Sequence, residues 1–332
     1  MRYFLFLLMG FLAFSACRND GWNGGAVSDR DIKVARYDRL QYEATVLNSF
    51  SAQQRMSLEF PNVTKLLIED VLELGSVNEP AINERLYAYY SDTTLLRLMD
   101  DVSDKFKDVS DIEQGLTKGF ARLEKEVPGL VVPRIYTQIS ALNQSVVVTD
   151  SLLGISLDKY MGEDYPLYRR YYYPYQYRSM KPGRILPDCF LFYLMGRYPF
   201  EWHPARRTLF DQLMYRGKIY WVVGKLIDAA SAEDLMGYTE EEKAWCKAHL
   251  QKVCAWLAAG GYLGSTDLMV LRAFTRSEPG LMFEGKPLPP SVGIWLGIQW
   301  VERYRKQHPD LSVADLLEKN DFSDFSILTT LN

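Results

Sequence analysis

The sequence predicts an α+β fold that is predominantly helical, with a small β-sheet preceding a buried central helix. Three observations carry that reading. The stretch from Arg207 to Ile227 is apolar nearly all round, through Leu209, Phe210, Leu213, Met214, Ile219, Tyr220, Trp221, Val222, Val223 and Leu226, the pattern of a helix enclosed on every side. Ahead of it lie three short β-branched or apolar runs, 131–136, 146–149 and 152–157. Much of the remaining chain repeats apolar residues at helical spacing between helix-start signals.

Taken in order, Leu66, Leu67, Ile68, Val71, Leu72 and Leu74 form one apolar stripe, and Ile82, Leu86, Tyr89 and Tyr90 another. Asp111-Ile112-Glu113-Gln114 reads as a capping box opening a helix that Pro128-Gly129 ends. Val147 to Asp158 reads as two strands joined at Asp150-Ser151. After the central helix, Thr239-Glu240-Glu241-Glu242 caps a helix running to Ala259, Pro290 opens one through Gln307, and Ser312-Val313-Ala314-Asp315 caps a short last one. With no internal repeat, low-complexity tract or second linker, residues 31–332 are expected to form a single domain.

The chain has 332 residues, 48% hydrophobic and 24% charged, with 22 Gly and 15 Pro, which excludes disorder, collagen-like repeats and a small disulfide scaffold. A net charge of −4 argues against a nucleic-acid partner, since phosphate binding needs a basic excess. Three His and four Cys limit metal and thiol chemistry.

The N-terminus is a targeting segment. Arg2 precedes the apolar run Tyr3 to Phe14, too short to span a bilayer comfortably but suited to a secretory signal. Phe14-Ser15-Ala16-Cys17 resembles the bacterial lipobox, with Phe14 standing where Leu is usual. That resemblance implies that residues 1–16 are a lipoprotein signal peptide and that Cys17 becomes the acylated N-terminus, carrying palmitate or a similar chain. The other reading is an ordinary signal peptide followed by an incidental Cys. Residues 17–30 are polar and glycine-rich at Arg18 to Gly25, as in a flexible tether. Cys246 and Cys254 sit eight apart on one expected helix, about 12 Å along its axis, so they cannot pair with each other. Cys189 could pair with either, but an oxidising compartment does not require it, and buried free thiols are the default for all three.

Gly280 to Lys286 has the spacing of a phosphate-binding loop, but Pro287 stands where Ser or Thr would bind Mg²⁺, and Leu288-Pro289-Pro290 cannot start the helix such a loop needs. Neither G-x-G-x-x-G nor G-x-S-x-G occurs. His203, His249 and His308 are too far apart in sequence to place two ligands on one helical turn. His249, between Trp245 and Val253, is expected to be a packed, hydrogen-bonded histidine. The densest chemistry lies between Tyr165 and Arg178, where seven tyrosines, Tyr165, Tyr168, Tyr171, Tyr172, Tyr173, Tyr175 and Tyr177, accompany Arg169, Arg170 and Arg178. These residues could form a platform for a glycan or peptide. The other reading, favoured by Pro166 and Pro174, is an extended segment wrapped over the domain and tied down by its rings.

Leu157-Asp158-Lys159-Tyr160-Met161-Gly162, followed by that aromatic stretch, is similar to the L-D-x-Y-L-G segment of the gliding-motility lipoprotein GldB family of Bacteroidota. Three later matches keep the same order: Gly217-Lys218-Ile219-Tyr220, Gly237-Tyr238-Thr239 through Trp245-Cys246, and Pro290 to Gly297 running into Tyr304. The resemblance implies family-motif residues at Asp158, Tyr160, Gly162, Gly217, Lys218 and Tyr220. It implies further a degenerate zincin-like fold, because the family resembles zinc metallopeptidases whose sheet precedes a helix bearing H-E-x-x-H. Aligned on the central helix, Gly217, Lys218 and Trp221 replace the first ligand, the general base and the second ligand, and none could serve zinc. Gly217 is then expected to admit a close helix neighbour, and Lys218 to reach solvent or a carboxylate.

The function this implies is a lipid-anchored, non-catalytic envelope protein facing the periplasm, in the outer membrane rather than the inner, acting by protein–protein interaction. The expected partners are membrane lipid, through acylated Cys17, and envelope proteins. No cofactor, metal, nucleic acid or small-molecule substrate is expected. Two other readings stay open: a peptidase with unusual ligands drawn from His203, His249 and carboxylates, and a glycan- or peptide-binding lipoprotein using the Tyr/Arg segment.

Overall fold

The computed structural model describes residues 31–201, 207–278 and 281–325. The expected signal peptide and tether, Cys17, His203 and Gly280 lie outside the described residues.

The chain enters at strand β1 (Val34–Ala35) and then builds six helices: α1 (Tyr37–Thr45), α2 (Phe50–Glu59), α3 (Pro61–Leu66), α4 (Ile82–Tyr90), α5 (Thr93–Lys105) and α6 (Ser110–Glu126). A π-helical turn, Leu67–Val71, prolongs α3. Strands β2 (Arg134–Gln138), β3 (Val146–Val148) and β4 (Leu152–Ser156) follow. Then come α7 (Pro166–Tyr171), α8 (Pro174–Tyr177), α9 (Ile185–Arg197), α10 (Leu209–Leu226), α11 (Ala232–Met236), α12 (Glu240–Ala259) and α13 (Leu268–Thr275). A short hairpin, β5 (Met282–Phe283) and β6 (Lys286–Pro287), precedes α14 (Val292–Gln307) and α15 (Val313–Glu318).

The four-stranded sheet runs β1-β2-β4-β3. The β3–β4 hairpin is antiparallel, as the sequence predicts, with Val147 opposite Gly154. Parallel pairing of β1 with β2 (Val34 opposite Ile135) and of β2 with β4 (Ile135 opposite Leu153) joins segments remote in sequence. Every residue of β4 is buried, because the sheet has helices on both faces. Ile135, Leu153 and Ile155 join one core with α6, α9 and α10, while Tyr136 and Leu152 join another with α1–α3. Gly154 belongs to the second face: a Cβ there would lie 2.5 Å from the Tyr136 ring, so the strand has no room for a side chain beneath that ring.

Local signals account for several boundaries. Thr208 and Thr239 form full capping boxes with Asp211 and Glu242, opening α10 and α12. The Ser312 side chain caps α15. The capping box expected at Asp111 is not used. The helix α6 opens at Ser110, whose N–H donates to Asp108 Oδ1 at 2.9 Å, and Glu113 instead accepts from Val34 N at 2.9 Å, tying β1 to α6. The segment after Tyr165 is also not the extended wrap its prolines suggested. Pro166 and Pro174 stand in the first turns of α7 and α8, where a missing N–H costs nothing.

Candidate functional site

The matched segment begins where β4 ends, in the 3₁₀ turn Leu157–Lys159. Asp158 is wholly buried. Its carboxylate accepts from Ser140 N at 2.9 Å and Leu142 N at 2.6 Å, and from the Ser140 hydroxyl at 3.2 Å. Ala141 and Leu142 both have positive φ, +51° and +68°, so this carboxylate clamps the strained turn that leads from β2 towards β3. Burial lifts the Asp158 pKa, opposed by these hydrogen bonds and by the neighbouring Lys159.

Lys159 donates to Leu142 O at 3.1 Å and to Tyr172 Oη at 2.9 Å, and its ammonium sits 4.5 Å from the Tyr172 ring centroid. Burial pulls its pKa down. Tyr160 Oη donates to Asp188 on α9 at 3.1 Å, and Asp188 pairs at 2.8 Å with Arg184, the residue just before that helix. Gly162 is needed for its backbone: at φ +107° its N–H reaches Met180 O at 2.9 Å, in a conformation a side chain would strain although nothing lies within 4 Å of a Cβ.

The aromatic segment divides by face. Tyr165 donates to Asp101 at 2.8 Å, and buried Tyr168 accepts from Met161 N at 2.9 Å while donating to Asp158 O. Tyr172 donates to Leu142 O. These three rings, at i, i+3 and i+7, pack edge to face against one another. The other residues face out. Arg169 pairs with Asp164, Arg170 lies 5.3 Å from the Tyr171 ring centroid, and Tyr171 and Tyr173 are exposed. Tyr173 stacks on Tyr175 with 5.7 Å between centroids and 7° between planes. Tyr165, Tyr168 and Tyr172 thus anchor the segment, while Arg169, Arg170, Tyr171 and Tyr173 are exposed.

The Gly217 group sits elsewhere, on α10. Helices α10 and α14 cross in backbone contact, with Gly217 against Gly297. Tyr220 lines a cavity of about 250 Å³ with Trp221, Lys225 and Glu302. Lys218 reaches neither solvent nor a carboxylate, contrary to expectation. It is buried, and its ammonium donates to Leu317 O at 2.7 Å, Lys319 O at 2.5 Å and Asn320 Oδ1 at 3.2 Å, closing the C-terminal end of α15. Burial pulls its pKa down to about 8, against the pull of Glu318 and Glu201.

Gly217, Lys218 and Trp221, aligned above with a metal-binding helix, lie on a helix that does not pack chiefly on the sheet. The helix laid on β3 and β4 is α9, while α10 packs chiefly on α14. His249 stacks on Trp245 at 4.5 Å, and its Nδ1 lies 2.8 Å from Trp245 O, as a packed histidine should. No group of three or more His, Cys, Asp or Glu among the described residues could hold a metal ion, and Cys189, Cys246 and Cys254 are buried free thiols. Among the same residues no helix is long and apolar enough to cross a membrane. Ser140, Arg184 and Asp188 were not singled out from the sequence. Asp188 carried the only available signal, a carboxylate inside an otherwise apolar helix.

The fold and the clamped turn define a mostly helical α+β protein whose matched residues chiefly build the scaffold. The model of the gliding motility protein GldB family matches residues 24–326, and the chain belongs to that family of gliding-motility lipoproteins. No curated protein and no solved structure matches it, so the likeness to zinc metallopeptidases rests on the sequence resemblance alone.

Proposed function

We propose that this chain is a lipid-anchored protein of the cell envelope, held by acylated Cys17 on the periplasmic side, that works by binding other envelope proteins and carries out no reaction of its own. One observation supports this reading most. The buried ionisable residues of the matched segments, Asp158 and Lys218, direct their hydrogen bonds at the chain's own backbone or side chains, Ser140 and Leu142 for one and Leu317, Lys319 and Asn320 for the other. A general base or metal ligand keeps a lone pair free for substrate or ion. The outward set Arg170, Tyr171 and Tyr173 offers amphipathic rings and a cation of the kind enriched at protein interfaces.

The test is in-cell photocrosslinking. A photoreactive phenylalanine analogue at Tyr173 is expected to capture envelope proteins, and the same group at exposed Lys247 is not. Stoichiometric zinc in the purified full-length protein, together with peptide hydrolysis, would overturn the non-catalytic reading.

A further inference from the structure

One face of the N-terminal helices carries large apolar side chains that the other described residues leave exposed. On α2, Phe50, Gln54 and Leu58 fall at i, i+4 and i+8, hence on one side of the helix, opposite Ala52, which packs inward. Phe50 is 70% exposed and Leu58 76%. Leu47, just before α2, is 60% exposed, and Tyr87 on α4 is 78% exposed. Tyr87 also lines an open groove of about 820 Å³ between these helices, whose other walls include Val46, Met56, Leu67, Ile68 and Leu86. No charged side chain lines this groove, although a quarter of the chain is charged.

We propose that this face docks on a phospholipid bilayer, with Leu47, Phe50, Leu58 and Tyr87 entering the interface and the groove admitting acyl chain. The occupant follows from where the chain goes. The described residues begin at Asp31, and Ile32 N is fixed to Thr117 Oγ at 3.0 Å. Fourteen residues separate Asp31 from Cys17, a length that can reach at most about 50 Å. A bilayer holding Cys17 is therefore within reach of the helices that follow directly on that stretch. Tethering at such lengths gives an effective concentration on the order of millimolar, so a modest apolar face suffices to dock. Exposed Phe, Leu and Tyr beside a groove of uncharged lining are the side chains that favour the lipid interface. This inference rests on the membrane anchoring proposed above, and its test separates the two.

The mature chain from residue 17 onward, with Cys17→Ala and an N-terminal histidine tag, is attached to vesicles of phosphatidylethanolamine and phosphatidylglycerol carrying a nickel-chelating lipid. The tag replaces the acyl anchor, so the outcome does not depend on whether Cys17 is acylated. An environment-sensitive fluorophore is placed at Gln54→Cys, in the middle of the stripe, or at Met269→Cys on α13, which is also exposed. The remaining cysteines are buried. The probe at 54 is expected to shift to shorter wavelength and to be quenched by brominated lipid, and the probe at 269 to do neither. Adding Phe50→Glu, an exposed position that leaves the core intact, is expected to cut the docked fraction about tenfold. An unshifted probe at 54 on tethered protein, or equal shifts at 54 and 269, would overturn the proposal. A face reserved for a protein partner would give the first of those results.

Discussion

A Cβ placed on Gly217 would lie 2.3 Å from the carbonyl carbon of Gly297, so α10 and α14 touch through their backbones at that point. The contact is reciprocal, since a Cβ on Gly297 would strike Leu213 O on α10. Neither helix can yield locally, because the obstructing atoms are main chain. Gly217→Ala is therefore expected to destabilise the protein by about 1–3 kcal/mol, outweighing the roughly 1 kcal/mol that Ala gains over Gly in a helix. Gly224, on the same helix, supplies the control: its Cβ would meet Leu235 Cδ2 at 3.5 Å and Ala229 Cβ at 4.0 Å, both ordinary contacts. Gly224→Ala is expected to raise the melting temperature while Gly217→Ala lowers it.

Lys218 carries a pH signature. Its pKa is about 8 in the folded chain, below the ordinary lysine value, because burial penalises the ammonium. Between those two values the unfolded chain holds more protons than the folded one, so this group's contribution to stability rises with pH from about 8 to about 10.4 and is flat below. Lys218→Met removes that slope and leaves Leu317 O, Lys319 O and Asn320 Oδ1 without their donor, at a cost of about 2–3 kcal/mol. Denaturant titrations of both proteins across that pH range measure the slope and the cost together.

Asp158 should behave as a clamp. Asp158→Asn keeps the shape but places an amide group where two backbone N–H donors converge, and is expected to cost roughly 2–4 kcal/mol. Ser140→Ala loses only the hydroxyl's bonds and is expected to cost about 1 kcal/mol. Equilibrium unfolding that ranked Ser140→Ala as the more damaging change would place the clamp elsewhere.

The sequence was informative wherever a structure is local. Thr239 with Glu242 begins a helix because donor and acceptor are three residues apart, and the β3–β4 hairpin closes over a few residues. It was uninformative where the partner is distant. Glu113 has the spacing of a capping residue, but Val34 N competes for it from 79 positions away. Lys218 finds its acceptors some hundred residues on, at the end of α15, which helix periodicity cannot reveal. The same holds for the site. Asp158 and Tyr160 were legible as part of a family segment, but their partners Ser140 and Asp188 become visible only when β2, β4 and α9 are assembled. The seven-tyrosine stretch read as one feature because composition does not distinguish the inward face of α7 from the outward one.

The function proposed here stands on Cys17, and the most direct test is fractionation of cells fed an alkyne-bearing palmitate analogue. The native protein is expected to carry the label and to sediment with membranes, while Cys17→Ala is unlabelled and either released into the soluble fraction or left unprocessed. A Cys17→Ala protein that is still cleaved and remains wholly membrane-bound would contradict a lipid anchor at that residue.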